Sequence, residues 1–242
     1  MRVALSCVAA ALMLAAASGA TSAQTSTQKS PSTVNPSIPR LNDVSGVGDP
    51  SLVNDLRKGG YVIFFRHAST DWSQHDTDYS NFDNRDGQRN LSDAGKADAG
   101  TIGKAFQDLE VPVDSIFVSP MWRCRDTAQL AFGRYEIRMA LFGKVPVAAD
   151  GSTKPAEDRA QYRAERIQML SKAPLKGMNR VLVGQQDPML PIISGLHRDE
   201  LREGDALVIQ PMGGDKFKVV AQVTVADWTR LAAAYAGKKP AK

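Results

Sequence analysis

The run YVIFF, Tyr61 to Phe65, is apolar at every position. It is built of β-branched and aromatic residues, with Gly59-Gly60 in front and Arg66-His67 behind. A strand with one wet face alternates polar and apolar residues, whereas one without alternation is buried on both faces. This run therefore excludes a sheet open to water on one side and demands a layer above and a layer below. Similar short runs recur at Ser115 to Val118 and Arg180 to Gly184, and Ala206 to Gln210 and Phe217 to Val223 flank Gly213-Gly214 as a hairpin.

Helical patterns lie between these runs. Asp49-Pro50, then Leu52, Val53 and Leu56, then the glycine stop, predict a short helix. Ser92 is placed to cap a helix in which Ala94, Ala97, Ile102, Ala105, Phe106 and Leu109 recur at helical spacing. Ser119-Pro120 reads as the cap and first turn of a helix through Thr127 and Leu130. Residues 155–171 read as a charged helix, and Thr224 with Asp227 as the cap of a last helix through Leu231 to Tyr235. Strands alternating with helices predict an α/β three-layer sandwich: a mostly parallel central sheet, helices on both faces, and an edge hairpin.

The chain ends read differently. Met1-Arg2, the apolar stretch Val3 to Ala17 and the small residues Thr21-Ser22-Ala23 before Gln24 have the pattern of a secretory signal peptide over residues 1–23. The apolar run, about 15 residues, is short of the ~20 that span a bilayer, so no stable membrane span is expected once the signal is removed. Residues 24–48, rich in Ser, Thr, Pro, Asn and Gln, read as a flexible linker. Residues 49–236 are then one domain, and 237–242 a basic tail. The expected location is periplasmic or secreted. Only Cys124 remains after the signal, which excludes an intramolecular disulfide. The net charge of +4 is mild and partly sits in Lys238, Lys239 and Lys242. Without a dense basic stripe interleaved with aromatics, no nucleic-acid partner is expected.

In open α/β sheets, ligands bind beyond the carboxyl ends of the strands. Arg66-His67, Ser119 and Gly184-Gln185 all fall at such ends. The ordered set Arg66-His67-Ala68, Thr70, Leu91-Ser92 with Gly95, and Ser119-Pro120 followed by Arg123, Thr127 and Ala128 resembles the histidine phosphatase superfamily, the phosphoglycerate-mutase-like fold. The resemblance implies that His67 is a nucleophile forming a phosphohistidine, that Arg66 and Arg123 clamp the phosphate, and that Thr70 lies close to it. Transfer of a phosphoryl group spreads charge over three equatorial oxygens, which suits planar guanidinium donors. Neighbouring arginines favour the neutral imidazole. Ser92 and Gly95 are expected to cap and pack their helix. Arg125 is assigned to the solvent face or a salt bridge, Cys124 to packing, and His75 and His197 to the surface.

Two positions depart from the family pattern. A second histidine is usual after the third strand, but here the segment is VLVGQQDP and Gln185 stands there, a donor without charge. The general acid is also unsettled. Asp187, reaching the leaving oxygen from a helix start, is the first candidate, and Asp83, Asp86 and Glu157 are weaker ones. No cofactor or metal is implied. An EF-hand count from Asp76 through Asp78 and Ser80 lacks the required glycine and final glutamate. The expected function is an exported phosphomonoesterase, of reduced activity, acting on a phosphorylated small molecule or phosphosugar. The competing reading is a pseudo-phosphatase that keeps the pocket for binding alone. A mutase of glycolytic intermediates is disfavoured, because its substrates are cytoplasmic. The loop from Asp71 to Arg89 is expected to shape selectivity.

Overall fold

The computed structural model describes residues 38–39, 50–143 and 156–235. The signal segment, most of the expected linker and the basic tail lie outside the described residues. Helix α1 (Pro50–Lys58) leads into β1 (Val62–Arg66), α2 (Asp93–Asp108), β2 (Val113–Val118), α3 (Trp122–Phe132) and β3 (Glu136–Ile137). A 3-10 turn (Met139–Leu141), α4 (Ala156–Ser171), β4 (Asn179–Gly184), β5 (Ala206–Gly213), β6 (Lys216–Val223) and α5 (Val225–Tyr235) complete the order. The six strands form one sheet in the order β3-β2-β4-β1-β5-β6. β3, β2, β4 and β1 run parallel, and the β5–β6 hairpin is antiparallel at one edge. The expected architecture is the observed one.

β1 shows why its sequence does not alternate. Ile63 and Phe65 join a core with α1, α2, α3 and α5, where Phe65 packs near Phe106, Phe132 and Trp228. Val62 and Phe64 join a second core on the other face, with Met169 and Leu170 of α4, Met189, Ile193 and Leu201. Every apolar side chain of the strand thus leaves water, at roughly 1.5–3 kcal/mol per large apolar residue. Ile38, within the stretch read as linker, is buried in this second core, and the Pro39 carbonyl accepts the Gln222 amide at 2.8 Å. Among the described residues no helix is long and apolar enough to cross a membrane.

The helix signals hold with one correction. Ser92 Oγ accepts the Gly95 amide at 3.1 Å, and Thr224 and Asp227 bond reciprocally at the start of α5. Gly95 has its own reason: a Cβ there would meet the Ser69 carbonyl oxygen at 1.9 Å, so only glycine lets α2 approach that backbone. Ser119, by contrast, is not the cap of α3, which starts at Trp122 with Met121 preceding it and no side-chain cap bond. The Ser119 amide continues the parallel ladder by donating to Val183 O at 2.9 Å, and its hydroxyl faces Gln185. Ser119-Pro120 is therefore the corner between strand and helix. Strand β3 has no counterpart among the sequence expectations, since two residues carry no period.

Candidate functional site

Arg66 ends β1 and His67 is the next residue. Backbone bonds grip this corner from two sides. His67 N donates to Gly184 O at 3.1 Å, Arg66 N donates to Asp205 O at 3.0 Å, and Gly204 N donates to His67 O at 2.9 Å. From a third side, Thr127 Oγ1 accepts the Ala68 amide at 3.0 Å and donates to the Arg123 carbonyl at 2.7 Å. Beyond the strand ends lies a cavity of about 290 Å³. Arg66, His67, Arg123, Gln185 and Asp187 all line it, so the sheet brings together five of the expected site residues.

His67 is 3 % exposed. Its Nδ1 lies 3.0 Å from the Ala68 carbonyl oxygen. A carbonyl only accepts, so Nδ1 carries the proton and Nε2 keeps the lone pair. Burial, chiefly, and then the charges of Arg123, Arg66 and Arg89 hold the imidazole well below its usual range, and the Ala68 bond opposes them only in part. The result is a neutral ring, the form required for attack on phosphorus.

The arginines are held by acceptors. Arg66 donates to Leu201 O at 2.8 Å and Gln186 Oε1 at 3.1 Å, and pairs with Glu203 at 3.4 Å. Arg123 donates to Asp76 Oδ1 at 2.9 Å and Arg89 O at 3.3 Å, while its Nε is buried without a partner. Asp76 also accepts the Arg89 amide at 2.9 Å. Burial raises its carboxyl, but Arg123 and the Arg89 amide outweigh burial and leave it lowered, hence ionised. Gln185 donates from Nε2 to Ser119 Oγ at 3.4 Å and its Oε1 accepts from Cys124 Sγ at 3.6 Å. Cys124 is buried, which pushes its thiol up to about 12 and leaves it a packing residue.

Other expectations fare differently. Thr70 does not line the cavity. Its amide and hydroxyl hold Glu203 at 2.9 and 3.0 Å, so it acts behind the arginines. Asp187 lies in a turn and not at a helix start, is exposed, and pairs with Arg198 at 2.9 Å. Asp83 pairs with Arg125 outside the cavity at 3.3 Å, and Asp86 is exposed. The side chain of Glu157 lies outside the described residues. Arg125 is in a salt bridge but buried, with its guanidinium 4.6 Å from the Trp122 ring. His75 and His197 are exposed. Asp76 and Asp78 of the acidic loop are committed to Arg123 and to the Ser80–Asn84 turn.

Sequence reasoning missed Arg89, Asp76, Gln186 and Glu203. Gln186 carried the faintest signal, a second amide directly after a strand end. Glu203 sits in a turn with no pattern, yet it contacts Thr70, Arg66 and Arg89.

The family model described as the histidine phosphatase superfamily (branch 1) matches residues 62–141. No curated protein sequence matches the chain. Among similar solved structures is the protein histidine phosphatase SixA with tungstate, at 10% identity, TM-score 0.47, covering 69% of this chain and 98% of that one. An Entamoeba histolytica phosphoserine phosphatase mutant with phosphoserine has 14% identity, TM-score 0.46 and coverage of 69% and 98%. The alpha-ribazole phosphatase of Shigella flexneri has 13% identity, TM-score 0.45 and coverage of 66% and 95%.

Proposed function

We propose that this chain is an exported phosphomonoesterase. The reading is carried by one observation: a buried, neutral imidazole with its Nε2 lone pair available shares a cavity with the guanidinium groups of Arg66 and Arg123. His67 Nε2 attacks phosphorus, the bond to the ester oxygen breaks, and the departing alcohol takes a proton. Water then attacks the phosphohistidine, releasing phosphate and restoring the imidazole. The arginines stabilise charge on the phosphoryl oxygens throughout. Asp187 is the carboxyl carried forward as proton donor, because its ion pair to Arg198 is exposed to water, whereas Asp76 is held by a buried ion pair to Arg123 and by the Arg89 amide. The substrate is a phosphorylated small molecule or a phosphosugar.

Gln185 supports the second reading, a phosphate-binding protein without turnover. It lines the cavity yet brings no charge, and its amide is turned toward Ser119 and Cys124. Phosphate release from p-nitrophenyl phosphate separates the two. Turnover in the parent that vanishes in His67→Ala supports the enzyme. An inert parent that gains turnover as Gln185→His supports the binding protein. Export is tested by fractionating cells that express the full chain, with recovery in the cytoplasm counting against it.

A further inference from the structure

We infer that Arg89 is a third guanidinium binding the transferred phosphoryl group, and that Trp72 holds it in position. This rests on the phosphatase reading and adds a residue from outside the strand-end motifs. Arg89 lines the same cavity as Arg66, His67 and Arg123, although it arrives from the far end of the 71–90 loop. Its bonds leave it uncommitted. The ion pair to Glu203 is long, 3.6 Å, beyond a good hydrogen bond, and its Nε is buried without an acceptor. Arg123 Nε is in the same condition. Three guanidinium groups that line one cavity beside a neutral imidazole describe a site suited to an anion with several oxygens.

The surroundings agree. Arg66, Arg89 and Arg123 meet the cavity together, and for Arg89 burial, chiefly, and then the Arg123 charge outweigh the opposing charges of Glu203 and Asp76, a condition that a dianionic ligand relieves. Trp72 is 66% exposed, an unusual position for so large an aromatic, and its ring lies 3.8 Å from the Arg89 guanidinium carbon. A cation over an indole face is held in orientation without spending any N–H on the contact, which leaves the whole donor fork for the ligand. Glu203 spaces Arg89 from Arg66 by pairing with both. Gln185 contributes no charge to the cavity; Arg89 contributes one.

The test uses the full chain, with inorganic phosphate and orthovanadate as calorimetric probes and p-nitrophenyl phosphate for turnover. Arg89→Ala is expected to weaken both anions and to lower kcat/KM by on the order of 10²-fold. Arg89→Lys, which keeps charge but loses the planar fork, falls between. Trp72→Ala costs about tenfold, and nothing further in an Arg89→Ala background, because it acts through Arg89. If Arg89→Ala does not fold, Arg89→Gln is read in its place. A parent that binds and turns over, beside a folded neutral variant with unchanged anion affinity and unchanged kcat/KM, overturns the role of Arg89 and leaves the phosphatase reading standing. A parent that neither binds anions nor releases phosphate removes both.

Discussion

The two walls of the cavity are held by different means. The wall at the strand ends, with Arg66, His67 and Gln185, hangs on the sheet: β1 is paired on both sides, and the ladder runs on through the His67 amide to Gly184. The wall made by residues 71–90 has no regular strand or helix. It is shaped by short side chains bonding nearby amides, such as Asp71 to Ser73, Asp78 to Ser80 and Asn84 to Gly87, and is closed by Asp71 N on Asn90 O. The first wall inherits its geometry from the core. The second is self-supporting and fastened to the first through the Asp76–Arg123 ion pair and the Arg89–Glu203 contact. On the proposed reading, the attacking imidazole is placed by the sheet, whereas Arg89 is placed by the loop.

Changes at the strand-end wall should be all-or-none and those at the loop wall graded. The largest effect is expected from His67→Ala, which removes the atom proposed to attack phosphorus and should cost roughly 10⁴-fold or more in kcat. Appreciable residual turnover with a normal KM would break the division between the walls. Next comes Asp187→Asn. If it donates the proton, hydrolysis of alkyl phosphates falls by on the order of 10²-fold, while p-nitrophenyl phosphate, whose phenolate leaves unaided, is scarcely affected. Equal losses on both substrates would remove the acid role.

Asp76→Asn should be milder, about tenfold in kcat/KM together with about 1–3 kcal/mol of stability from the weakened bonds to Arg123 and the Arg89 amide. Hydrogen exchange sharpens the comparison here, since amides of residues 71–90 should exchange faster while those of β1 and β4 keep their protection. Uniform acceleration would show the walls to be one cooperative unit. The smallest effect is electrostatic. The His67 ring, followed by NMR, should titrate well below 6.5, and Arg123→Ala should move its midpoint upward without restoring it, because burial is the larger cause. As pH falls through about 6.5 the unfolded chain takes up a proton that the folded His67 refuses, so this residue makes the fold less stable toward acid.

The same division decides what the sequence could reveal. Five of the strands stand where continuous apolar runs place them, because burial on two faces leaves a compositional trace in consecutive residues. Arg66, His67, Arg123 and Gln185 were legible for the related reason that strand ends and helix starts can be located. Arg89 and Glu203 were not. The bond from Thr70 to Glu203 joins residues 133 apart, and no local periodicity encodes such a meeting. The loop's turns depend on which Asp or Asn captures which amide, a choice that several neighbours could have won. Ser119 misled because strand-helix corners and helix caps favour the same residue.

The Thr127 hydroxyl, bonded at once to the Ala68 amide and the Arg123 carbonyl, has a consequence for how this scaffold can diversify. It rivets the backbone beside the His67 imidazole to that of Arg123, so the spacing of these two residues is set by the fold itself. On the proposed reading, replacements along residues 71–90 other than Trp72, Asp76 and Arg89 can then change which esters are admitted without moving His67 relative to Arg123.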